Sequence, residues 1–183
     1  LYLGDKRLEP LMEELNKEQT VLVLHPTSPA AMGANIPDTL PVPAIEYFFE
    51  TTRAVTNMII NGTIHRHSNV KFLVPHGGAF LTILSDRLAF MTEMLSMDGV
   101  DVMGDLAKLY YDLAGMAMPK QYGLLKEVTD TSHILYGSDA PFTSLTGDQK
   151  LAGIMDSSIE SSIQEQIYVR NAERLFRMKE TEE

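Results

Sequence analysis

Three residues of this chain have side chains and neighbours suited to metal or proton chemistry: His25 in "VLVLHP", His76 in "NVKFLVPHGGAF" and Asp139 in "ILYGSDAPF". A neutral imidazole and a carboxylate are good ligands for Zn²⁺ or Mn²⁺, and a second imidazole can carry protons or orient a water. Each follows a short apolar run, where a buried strand would end. Gly77 and Gly78 remove side chains next to the His76 ring and permit backbone angles that other residues avoid. That suits a site in which substrate comes close to both ring and main chain. The alternative for His76 is an ordinary strand-to-helix turn that contains a histidine. A catalytic zinc generally takes three protein ligands, so His25 and Asp139 alone leave a metal site short of a full set.

Two further histidine features compete with this assignment. His65-Arg66-His67 has the form of an H-x-H metal pair, which works on a strand, where residues two apart share a face. Here it lies between a helical stretch and a strand, at the N-terminal end of that strand and opposite His76. A solvated connection with no ligand role is the expectation, with both rings exposed. His133 precedes its strand and is on the wrong end for the same reason.

The elements that must position these residues are four apolar runs, with strands expected at 20–25, 70–76, 108–113 and 133–138. Helical spacing places helices at about 5–18, 44–62, 79–96, 119–129, 147–157 and 159–177, with Pro10 in the first turn of the earliest, where proline is tolerated. Strict alternation of strand and helix implies an α/β fold with parallel strands and right-handed crossovers. In such folds all strand C-termini lie on one side, where the sites are. Residues 51 and 63 positions apart in sequence can therefore converge. The segment 26–43 holds five of the nine prolines and reads as a long loop, either a lid or an insertion without a role.

Composition narrows the function. With 183 residues, 44% hydrophobic and 22% charged, the chain can bury a core as a single domain. A net charge of −10 argues against non-specific nucleic-acid binding. Cysteine is absent, which excludes disulfides and thiolate chemistry. No apolar stretch approaches the ~20 residues of a membrane span. The opening "LYLGDKRLEP" lacks the pattern of a signal peptide, so a cytoplasmic protein is expected and the sequon Asn61-Gly62-Thr63 is read as chance.

"HP" after the first strand, "PHGG" after the second, "YYDLAG", "ILYGSDAPF" and the closing "NAERLF" together resemble the amidohydrolase-related family typified by aminocarboxymuconate-semialdehyde decarboxylase. The resemblance runs through the whole chain. It implies a (β/α)₈ TIM barrel of the metal-dependent hydrolase type, with residues 1–183 forming its C-terminal half, strands five to eight. It also implies one divalent metal, Zn or Mn, with His25 and Asp139 as ligands and His76 and Asp139 as catalytic residues. Arg87, eleven residues after His76, would cross a homodimer interface to bind a substrate carboxylate; otherwise it is a surface cation. The family's N-terminal H-x-H segment has no counterpart here. The expectation is a piece of a longer barrel, with a half-barrel that pairs with another chain as the alternative. The implied activity is removal of CO₂ from a small unsaturated or aromatic carboxylic acid. A hydrolase of lactones, esters or amides on the same scaffold is the second reading, and an inactive fragment serving as an interaction module the third.

Overall fold

Each of the four apolar runs is a strand: β1 (Val21–Val23), β2 (Lys71–Val74), β3 (Tyr110–Asp112) and β4 (Ile134–Leu135). The computed structural model describes residues 1–31 and 39–177, so the middle of the proline-rich segment 26–43 lies outside the described residues. All pairings are parallel, with Val23 opposite Leu73, Val74 opposite Tyr111 and Tyr111 opposite Ile134. The spatial order is β1–β2–β3–β4, identical to chain order. A doubly wound sheet changes direction at a switch point, whereas strands added one beside the last make a barrel wall. Four such strands are one half of a (β/α)₈ barrel.

The expected helices are present, and two short ones that the spacing did not indicate, Thr63–Arg66 and Val102–Lys108, precede β2 and β3. In chain order the helices are α1 (Glu9–Lys17), α2 (Glu46–Ile60), α3 (Thr63–Arg66), α4 (Leu81–Met94), α5 (Val102–Lys108), α6 (Lys120–Leu125), α7 (Leu145–Ser158), α8 (Ser161–Glu165) and α9 (Asn171–Leu175). Pro10 sits in the first turn of α1. The last helix differs from expectation, because a π-helical stretch at Gln166–Arg170 separates α8 from α9. Within "NAERLF", the buried Asn171 amide donates to the carbonyls of Thr131 and Ile134 (2.9 and 2.7 Å), which ties α9 to the start of β4.

The core forms where strand and helix faces meet. Val74, Tyr111 and Ile134, neighbours across the sheet, are fully buried together with Val55, Met58, Leu81, Leu106, Leu125 and Met155. Tyr111 satisfies its buried hydroxyl by donating to the Leu106 carbonyl (2.7 Å). β1 is an edge: Val23 is 57% exposed, and among the described residues the strand pairs only with β2. No helix among the described residues is long and apolar enough to cross a membrane.

The connection from α2 to β2 is more ordered than the sequence suggests. His65 is exposed, as expected, but His67 is buried at 4% exposure. Its Nε2 lies 3.0 Å from Glu9 Oε1, and Arg66 grips the same carboxylate through two nitrogens (3.1 and 2.9 Å). The expectation of a solvated His67 fails because α1 folds back over this turn and brings it a carboxylate from 58 residues upstream.

Candidate active site

β2 leaves the sheet through Pro75, and the next four residues, His76, Gly77, Gly78 and Ala79, all have positive φ (57°, 60°, 75° and 53°). Histidine and alanine are strained in this region, because their Cβ crowds the backbone, so the turn persists only if its surroundings hold it. They do. The His76 amide donates to Asp112 Oδ1 (2.9 Å), and Gln121 Nε2 donates to the carbonyls of His76 (2.9 Å) and Ala79 (3.2 Å). The Phe80 amide donates to Thr52 Oγ1 (3.2 Å).

The two glycines do not open space for substrate, contrary to the sequence reading. A Cβ on Gly77 would fall 2.8 Å from Ala117 Cβ, and one on Gly78 would fall 3.0 Å from the Tyr111 ring. The protein itself fills the room that their missing side chains leave. A third glycine borders the imidazole: a Cβ on Gly115 would stand 2.8 Å from His76 Cδ2.

The His76 side chain is buried at 8% exposure and stacks on Phe48 (centroids 5.5 Å apart, 22° between planes). Its Nδ1 is buried with no hydrogen-bond partner among the described residues. Beneath it, Asp112 Oδ1 also accepts from the Ala114 amide (3.1 Å). Burial pushes the Asp112 carboxyl above its usual range; the two amides and the His76 charge oppose this, and the Asp139 charge adds to it. The His76 amide bond to Asp112 joins the exits of β2 and β3 at the C-terminal ends of the strands. Sequence reasoning missed Asp112. Its only signal was a carboxylate inside the apolar run "LYYDL".

His25 and Asp139 follow the two outer strands of the sheet. His25 is exposed, lines a groove of about 700 Å³ with Tyr2, Glu50 and Arg53, and meets Tyr47 edge-on (6.1 Å, 78°). Tyr47 and Phe48 are consecutive in the first turn of α2, so one turn of helix touches both imidazoles. Asp139 has a positive φ of 58° and accepts from Thr143 Oγ1 on Oδ2 (3.2 Å).

The donors suit a divalent cation in part. His25 Nδ1 is 2.7 Å from the Pro26 carbonyl, which can only accept, so Nδ1 is the donor and Nε2 has the lone pair whenever the ring is neutral. Metal-binding histidines use this arrangement. Among the described residues, however, no three His, Asp or Glu side chains converge as a metal site. Arg87 lies exposed on α4.

The sequence pattern of the amidohydrolase family matches residues 1–178. The chain belongs to that family. Among curated amidohydrolase relatives, the decarboxylase yanB of Aspergillus niger is 33% identical over 96% of this chain and 51% of its own length. The 6-methylsalicylic acid decarboxylase acuB of Aspergillus aculeatus is 31% identical over 76% of this chain and 44% of its own. The chain therefore spans about half the length of the curated relatives it matches. Among solved structures, an amidohydrolase II (structural genomics target LpR24) superposes with a TM-score of 0.90 at 34% identity, over 97% of this chain and 58% of that one. A dihydroxybenzoic acid decarboxylase from Polaromonas sp. JS666, solved with manganese and 2-nitroresorcinol, shares the fold at a TM-score of 0.83 and 19% identity. The match covers 97% of this chain and 55% of that one.

Proposed function

We propose that the protein is a metal-dependent decarboxylase of small aromatic carboxylic acids, to which this chain contributes half of a barrel. The observation that carries the reading is the buried His76 imidazole, with an unanchored Nδ1 and a backbone clamped at a strand exit by Asp112. The names of the related decarboxylases, one of them acting on 6-methylsalicylic acid, support it.

Removing CO₂ from an aromatic acid breaks the bond between ring carbon and carboxyl carbon and leaves an electron pair that must take a proton. The site therefore needs a cation for the carboxylate and a proton carrier facing the ring. His76 is the proton carrier, in a place where surrounding protein limits access of water. His25 and Asp139 would hold one divalent cation, Zn²⁺ or Mn²⁺, together with ligands from outside this chain. When bound, that ion supplies Lewis-acid polarisation of a substrate oxygen. Manganese in the Polaromonas decarboxylase supports a divalent ion on this fold.

Arg87 is the carboxylate-binding cation, offered to the site of a second copy. Ile83, Arg87, Phe90 and Met94 recur at helical spacing on α4, and the three apolar members are all exposed. An apolar stripe with a cation in its middle suits a homodimer interface better than a free surface.

The test is release of CO₂ by the full-length protein, loaded with Mn²⁺ or Zn²⁺, from 6-methylsalicylic acid and dihydroxybenzoic acids. Turnover of lactones, esters or amides without CO₂ from any acid would overturn the assignment.

A further inference from the structure

His76 raises a mechanical problem. An imidazole that carries protons has to be aimed, and most such rings are aimed by a hydrogen bond on the far nitrogen. Here the buried Nδ1 has no such partner among the described residues. Stacking on Phe48 fixes the plane of the ring but leaves it free to slide. What remains is the backbone, and the backbone at His76 is itself strained, with His76 and Ala79 both at positive φ.

We propose that Asp112 and Gln121 are positioning residues for His76, gripping the left-handed turn 76–79 from its two ends. Asp112 Oδ1 accepts the amides of His76 and Ala114, so a single oxygen joins the exits of β2 and β3. Gln121 Nε2 donates to the carbonyls at both ends of the turn, His76 and Ala79. Between them, the packing of Gly77 against Ala117 and of Gly78 against Tyr111 closes off sideways movement. The turn holds its strained angles because three backbone groups are tied to two side chains that belong to other elements. The role rests on the reading of His76 as the proton carrier.

The experiment pairs isosteric variants in the full-length protein. Asp112→Asn keeps an oxygen that accepts the His76 amide, whereas Asp112→Leu removes it at similar shape. Asp112→Asn should hold kcat within about threefold of wild type and Asp112→Leu should lower it about 10²-fold with KM little changed, as expected when a reacting group is misplaced by about an ångström. Gln121→Glu turns a donor into an acceptor facing two carbonyls and should behave like Asp112→Leu; it carries the test if Asp112→Leu does not fold. In both disruptive variants the His76 amide should exchange with deuterium roughly 10²-fold faster, while core amides stay protected. In a His76→Ala background neither substitution should lower kcat further, because partners that act through one group are not additive. Unchanged exchange at His76 in both variants would overturn the clamp. Full effects on kcat persisting without His76 would overturn its action through the imidazole. If the wild-type protein releases no CO₂ from any acid, the reading of the reaction fails, and the exchange rates still decide the clamp.

Discussion

At the scale of single residues, the roles proposed for His25, His76 and Asp139 can be separated in purified variants. His76 is expected to carry protons, so His76→Ala should leave bound metal near the wild-type level and lower turnover about 10²–10⁴-fold. His25→Ala and Asp139→Ala should lose metal and activity together, because ligands are gone. Metal analysis and rates on the same preparations check this; equal metal loss in His76→Ala would make it a ligand instead. The positions of these three residues at strand exits were legible because each follows an apolar run. Asp112 was not, because a carboxylate inside such a run reads as part of the strand. Its partner amide at His76 is 36 residues away and known only once the strands are paired. Gln121 was beyond reach for the same reason, 45 residues from the carbonyl it grips.

At the scale of elements, the pin between α1 and the turn ahead of β2 gives a pH prediction. The Arg66 guanidinium holds the Glu9 carboxyl below its usual range, with His67 adding to this and burial opposing it. A carboxylate depressed in the folded state contributes stability that is fully present above its unfolded value and is lost as pH falls through the lowered folded value. Glu9 is about one-third exposed, so solvent screening discounts the pair. Glu9→Gln should cost about 1 kcal/mol at neutral pH and progressively less in acid. Urea unfolding at several pH values reads this directly, and a gap constant down to the acid limit would refute it. Strand positions and helix order were readable from apolar periodicity. The division of the last helix was not, because the Ile167 carbonyl accepts from the Tyr136 amide (2.9 Å), a partner outside the helix. His67 was misjudged on the same ground, since the carboxylate that buries it comes from another element.

At the scale of the whole molecule, strands in chain order, open at β1 and β4 among the described residues, make half a barrel wall, and the chain covers about half of the curated relatives it matches. The alternating pattern made this architecture legible early. The exposed stripe on α4 was less so, because sequence cannot say which helix face meets the sheet. If that stripe joins two copies, Phe90→Glu should shift the full-length protein from dimer to monomer in sedimentation velocity. Arg87→Ala should leave the dimer intact and raise KM for the acid. A dimer that survives Phe90→Glu with its mass unchanged would place the interface elsewhere.

Tyr47 and Phe48 give the two imidazoles a common mount. Consecutive helical residues point about 100° apart, which is why one neighbour can serve His25 and the next His76. The chain enters this turn straight from Val42–Ala44 and Ile45. Losing or gaining one residue between Phe48 and Thr51 would swing both aromatic rings round against the buried face of α2 by the same angle and strip both histidines at once. The mount is therefore set by phase within α2 and not by the length of what precedes it: Tyr47 and Phe48 must keep step with Thr51, Val55 and Met58.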